Sequence, residues 1–183
     1  MTPWETALAV LVLLVTPGPT NTLLALAGAE RGWAGALRLI PAELAGYLAS
    51  VVPLTLAGSR LLDAAPLARP VLTGAAALWV LWLAARLWQG PGAAAPAGVT
   101  ARRVAVTTLL NPKALAFGLA ILPAPDPARA GINLLMFAAQ VVGVAALWAA
   151  VGATLRQGAG ALVLRRAAAV WLALLALWLA ARL

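Results

Sequence analysis

The residues of this chain that could do chemistry are one ammonium, one carboxylate and two proline-broken segments, all set in apolar surroundings. Lys113, the only lysine, sits in "LLNPKALAFGLAIL" (109–122), directly after Asn111 and Pro112. Glu43 begins "ELAG" (43–46), and Pro17, Gly18, Pro19, Thr20 and Asn21 form the middle of "TPGPTNT" (16–22). An ammonium at membrane depth costs roughly 2.5 to 3.5 kcal/mol unless an anion, a carbonyl or water accompanies it. Pro112 removes a backbone donor and frees the carbonyl of Thr108, for which Asn111, Thr107 and Thr108 are the local candidate partners. Pro-Gly-Pro does the same in the first segment, leaving free carbonyls on one side and the positive N-terminus of a new half-helix on the other. Such an end receives carboxylates.

These features lie in a chain that has little else to offer chemically. Of its 183 residues, 64% are hydrophobic and 10% charged, well short of the polar material that a water-facing surface needs. The mean hydropathy is +0.97. The composition is that of an integral membrane protein. Cysteine and histidine are both absent and there are two methionines, so disulfides, thiol chemistry and the usual transition-metal ligands are excluded, and no cofactor is expected. The net charge of +8 is assigned to loop arginines facing a cytoplasmic surface rather than to nucleic-acid binding.

A spanning helix needs about 20 mostly apolar residues. Six segments meet that length, at roughly 4–27, 34–57, 70–88, 104–122, 131–154 and 164–183. The Pro/Gly/Ala-rich stretch 89–103 reads as a linker, dividing the chain into a first three-helix half (1–88) and a second (104–183). No Lys or Arg precedes the first segment and Pro-Gly-Pro interrupts it, so it is expected to be a mature span rather than a signal peptide. Arg31, Arg38, Arg86, Arg102, Arg103, Arg156, Arg165 and Arg166 follow odd-numbered spans, whereas Arg60, Arg69, Arg129 and Arg182 lie on the other side. The positive-inside rule then places both termini outside.

The two halves echo one another. "LWLAARL" ends both the third segment (81–87) and the sixth (177–183), and "ELAG" at 43 faces "QVVG" at 140, which makes Gln140 the neutral counterpart of Glu43. Pro17 and Pro19 of the first half correspond to Pro112 of the second. A duplicated unit of three spans must enter the membrane from opposite sides, so the expected fold is all-α, with two inverted three-helix repeats and broken first and fourth helices. In such proteins the broken helices meet near the midplane and form the solute site. Pro17, Gly18, Pro19, Thr20, Asn21, Glu43, Asn111, Pro112, Lys113 and Gln140 are the candidate substrate-binding residues. Two readings of Glu43 and Lys113 stay open: a permanent buried pair joining the halves, or groups that change partner during a transport cycle. Tyr47, one turn beyond Glu43, and the glycines are assigned to packing.

"TPGPTNTLLALAGAERGWAGAL" (16–37) together with "LLNPKALAFGLAILP" (109–123) resembles the LysE/RhtB-type amino-acid exporters of bacteria. The similarity extends over the whole chain in length, span count and order of motifs. It implies export of amino acids or similar small zwitterions across the bacterial inner membrane, coupled to protons. Lipid, protons and the solute are the implied partners, with a homodimer left open and no nucleic acid. Family members commonly carry Asn or Asp directly after Pro-Gly-Pro; here Thr20 takes that place and the amide of Asn21 follows, turned by about 100° on a helix. The alternative reading is a non-transporting membrane scaffold or assembly subunit. An intramembrane enzyme is disfavoured, since the chain has only Ser50 and Ser59 as serines and no second intramembrane acid.

Overall fold

The computed structural model describes residues 2–65, 67–89, 98–124, 126–155 and 160–181, and all regular structure among them is helical. The helices are α1 (Pro3–Val15), α2 (Pro19–Leu37), α3 (Ile40–Ala64), α4 (Ala68–Gln89), α5 (Ala101–Leu109), α6 (Lys113–Ala116), α7 (Pro127–Thr154) and α8 (Gly160–Ala180). A π-helical turn, Phe117–Ile121, continues α6. Linker residues 90–97 lie outside the described residues, as do Arg156 and Arg182, which entered the orientation argument.

Local sequence explains the boundaries. Thr2 and Glu5 form a reciprocal capping box around Pro3 and start α1. Pro17 and Pro19 stop α1 and restart the chain as α2, with a 58° bend between them. The second interruption, at Leu110–Pro112, bends α5 against α6 and its π turn by 50°. Gly32 adopts φ 75° inside α2, a conformation open to glycine, and turns the last residues of that helix aside before α3 begins. Asp126 caps α7 through the Arg129 N–H.

Among the described residues, Ile40–Ala57 and Pro127–Thr154 are long and apolar enough to cross a membrane, and each of the two bent pairs qualifies as one broken span. The distribution of side chains is that of a helical membrane protein. Leu78 and Leu135 are more than 70% exposed, while Thr20, Asn21, Glu43, Thr108 and Asn111 are buried. Apolar side chains thus cover much of the outside as well as filling most of the core, and the few buried polar groups gather around the breaks. The third and sixth expected segments are present as the continuous helices α4 and α8, which pack on each other around Val80, Leu83 and Leu172.

The remaining helices pair crosswise. α2 lies along α7, and α3 lies along α5 and the π turn. The α2–α7 seam is close enough to require glycine: a Cβ on Gly152 would run into the carbonyl of Ala25, and one on Gly28 into that of Ala149. Gly46 and Gly118 serve α3 in the same way, the first against Ala105 and Thr108 and the second against Val51 and Leu54. Gly131 and Gly143, by contrast, face open space, so helix packing does not account for them. Gly152→Ala is therefore expected to lower the thermal midpoint of the purified protein by about 3 to 10 °C, the effect of about 1–3 kcal/mol of overpacking in a chain of this size. Gly143→Ala should leave the midpoint unchanged or slightly higher, and thermal melts in detergent compare the two.

Candidate functional site

The two breaks come together, and their unpaired backbone groups determine how. At the end of α1, Pro17 has no N–H to offer the carbonyl of Leu13, and the Thr16 hydroxyl donates to it instead at 2.7 Å. Asn21 reaches back from the first turn of α2 and donates its amide to the carbonyls of Leu14, at 2.7 Å, and Thr16, at 2.9 Å. Lys113 completes the cap from the other half of the chain, its ammonium donating to the Thr16 carbonyl. A cation at the negative end of a half-helix is favourable on dipole grounds as well. Gly18 makes room for it, since a Cβ there would stand 3.1 Å from Lys113 Cε and 3.2 Å from Nζ.

Asn111 organises the second break. Its backbone N–H donates to the Thr108 carbonyl that Pro112 frees, at 3.0 Å, and its side-chain oxygen accepts from the N–H of Lys113 at 3.1 Å. Its amide nitrogen is left to donate across the molecule, to the Thr20 hydroxyl at 3.1 Å and to the Tyr47 hydroxyl at 3.0 Å. Thr108 adds a third bond, 3.2 Å from its hydroxyl to that of Thr20. Thr20, Tyr47, Thr108 and Asn111 thus form one buried polar cluster drawn from α2, α3, α5 and the second break.

Tyr47 does more than pack, contrary to its reading from sequence. Its ring stands edge-on to Phe117 and Phe137, at centroid distances of 6.0 and 5.5 Å, and those two rings are 4.9 Å apart. The chain's single tyrosine and both its phenylalanines therefore meet beside the polar cluster. The sequence carried a signal for this: Tyr47 lies four residues after Glu43 and so shares its helical face.

Glu43 is 2% exposed, and its Oε2 has no hydrogen-bond partner among the described residues. It stands in the first turn of α3. The Lys113 ammonium donates to the Thr16 carbonyl, and no direct ion pair between it and Glu43 is found among the described residues. Gln140 is placed elsewhere. Its amide donates to the Ala7 carbonyl at 3.1 Å, about 13 Å along α1 from Thr16. Gln140 is also well inside α7, whereas Glu43 is at the start of α3, so the two do not occupy equivalent places.

A cavity of about 330 Å³ opens on the far side of the second break, between Ser50 and Leu54 of α3, Ala76 of α4, and Leu109, Asn111 and Pro112. Of the ten nominated residues, Asn111 and Pro112 border it. No family model matches the chain, and neither does any curated protein or solved structure.

The N-cap of α2 is Gly18, which offers no side chain, so the amides of that first turn have no side-chain cap. Pro19 has no N–H and the Thr22 N–H bonds to the Gly18 carbonyl at 2.9 Å, so the Thr20 and Asn21 N–H groups are left at this helix start, with the Lys113 ammonium beside Gly18; such a set can hold a carboxylate. Glu43 offers the complementary negative group. Asn21 is expected to be structural. Asn21→Ala should cost about 1–3 kcal/mol, because the Leu14 carbonyl loses its partner and the Thr16 carbonyl keeps only Lys113. Asn21→Asp, nearly the same shape but with an acceptor facing acceptors, should cost at least as much. Thermal unfolding in detergent ranks the two.

Proposed function

We propose that the chain is a secondary transporter that exports amino acids or similar small zwitterions, with α1–α2, α3 and α4 as one three-span repeat and α5–α6, α7 and α8 as its inverted copy. The crosswise packing supports this reading, because the broken helix of each half lies on the middle helix of the other while α4 and α8 pair with each other. At 22 and 21 residues, α4 and α8 are also long enough, at about 1.5 Å per residue, to cover a hydrocarbon layer of about 30 Å. The resemblance to the LysE/RhtB-type exporters points the same way.

One observation carries the proposal: the Lys113 ammonium stands beside Gly18 at the start of α2, which has no side-chain cap, while the interior also holds a buried carboxylate, Glu43, with an unpartnered oxygen. Each half of a zwitterion then has a complementary group. The substrate carboxylate takes the α2 amides and Lys113, displacing the Thr16 carbonyl, and the substrate ammonium takes Glu43. Solute and proton compete for the same carboxylate, which is the simplest way to couple their movements. The bonds that Thr20 makes with Thr108 and Asn111 join the halves and have to open and close as access alternates.

In proteoliposomes, Lys113→Met and Glu43→Gln are each expected to abolish amino-acid counterflow while keeping a cooperative thermal transition. Full exchange by both variants would remove the mechanism. A screen of amino acids by thermal shift on the unaltered protein identifies the solute, because a ligand of the folded state raises its apparent stability. If no amino acid shifts the midpoint and none is exchanged, the scaffold reading takes its place.

A further inference from the structure

A second site lies away from the breaks, where α4 meets the start of α5. Trp79 and Trp82 stack at 4.7 Å between centroids with their planes 29° apart. Trp79 is fixed by a 3.0 Å bond from its indole N–H to the Thr107 hydroxyl. With Thr100, Arg102, Arg103 and Val106 these rings enclose a cavity of about 400 Å³. A third arginine, Arg86, places its guanidinium 5.9 Å from the Trp82 ring centre.

No ion pair or side-chain hydrogen bond of Arg102 or Arg103 is found among the described residues. The Thr100 hydroxyl is already used to cap the Arg103 N–H at 3.2 Å. The nearby carboxylate, Glu30, accepts from the Val99 N–H at 3.1 Å, and Arg31 holds the Val99 carbonyl beside it. Arg102 is exposed and Arg103 partly so, which leaves both guanidinium groups free to engage an anion from outside.

The shape restricts what the anion can be. Arg102 and Arg103 stand at the first turn of α5, whereas Val106 and the Trp79 contact to Thr107 lie about 6 Å further along the axis. The cavity thus has a cationic mouth and an aromatic, aliphatic floor. A free phosphate satisfies the mouth alone. We infer that this cavity binds the headgroup of an anionic phospholipid, with Arg102 and Arg103 on the phosphate and the glycerol and first acyl carbons against Trp79, Trp82 and Val106. Guanidinium forks match phosphate oxygens in pairs, and basic pockets between spans on the cytoplasmic side are suited to such headgroups. The inference does not depend on transport: it shares no residue with the Lys113–Glu43 site.

The test is a thermal-shift titration of the purified chain in neutral detergent with phosphatidylglycerol, phosphatidylcholine or sodium phosphate. Phosphatidylglycerol is expected to raise the midpoint, while phosphatidylcholine and sodium phosphate leave it in place. The double variant Arg102→Gln/Arg103→Gln should keep the lipid-free midpoint and need roughly tenfold more phosphatidylglycerol for the same shift. Equal responses to the two lipids, or an undiminished response in the double variant, overturn the inference. A full response to sodium phosphate also overturns it, by identifying a free anion as the ligand. If the double variant does not fold, phosphatidylglycerol brominated in its acyl chains should quench a share of the tryptophan emission that Trp82→Phe removes. Equal quenching by brominated phosphatidylcholine goes against the site.

Discussion

In a hydrocarbon environment a broken helix is tolerated only if something other than water meets its loose backbone groups, and this constraint governs the centre of the molecule. Neither break is self-sufficient. α1 ends on carbonyls taken up by Thr16, Asn21 and Lys113, and the last of these comes from the other half of the chain. The second break is knit by Asn111, whose amide is then left for Thr20 and Tyr47. Each interruption is thus stabilised partly by the other, so the two helices cannot be broken in one place without being held together there.

The same bonds explain why a cation and a helix breaker stand side by side at 112 and 113. Pro112 creates the bend that lets the following residue leave its own helix axis, and Lys113 uses that freedom to reach the end of α1. The aromatic rings of Tyr47, Phe117 and Phe137 form a dry wall beside the polar cluster, and tryptophans take the outward positions, with Trp4, Trp33 and Trp88 half or more exposed. Trp148 is the exception, packed against both core clusters with its indole N–H buried.

Much of this was legible in the sequence because breakage is a local property. Pro-Gly-Pro and Asn-Pro-Lys fix where the helices stop, and both bends are found there. Partner choice is not local. Nothing in the neighbourhood of Lys113 distinguishes a carboxylate on α3 from a carbonyl on α1, since that depends on how deeply the two bent spans interpenetrate. The match of Gln140 to Glu43 failed as geometry for a related reason. It followed letters at a constant offset, whereas α3 starts at Ile40 and α7 at Pro127, so the first turn of one helix is compared with the middle of the other. Asn21 was nominated on the right grounds, a polar group at a break, but the direction of its amide is set by the first turn of α2, which points it back along the chain.

The π turn at Phe117–Ile121 has a consequence of its own. The Leu122 N–H bonds to the Phe117 carbonyl five residues back, at 2.9 Å, so this stretch stores one more residue than an α-helix of equal rise would hold. Loss of a single residue here would tighten the turn into ordinary α geometry, whereas the same loss elsewhere in the half-helix would swing every later side chain by about 100°. The chain therefore carries a slack loop wound inside a helix, the one stretch of the second broken span where sequence length and spatial length can be traded against each other.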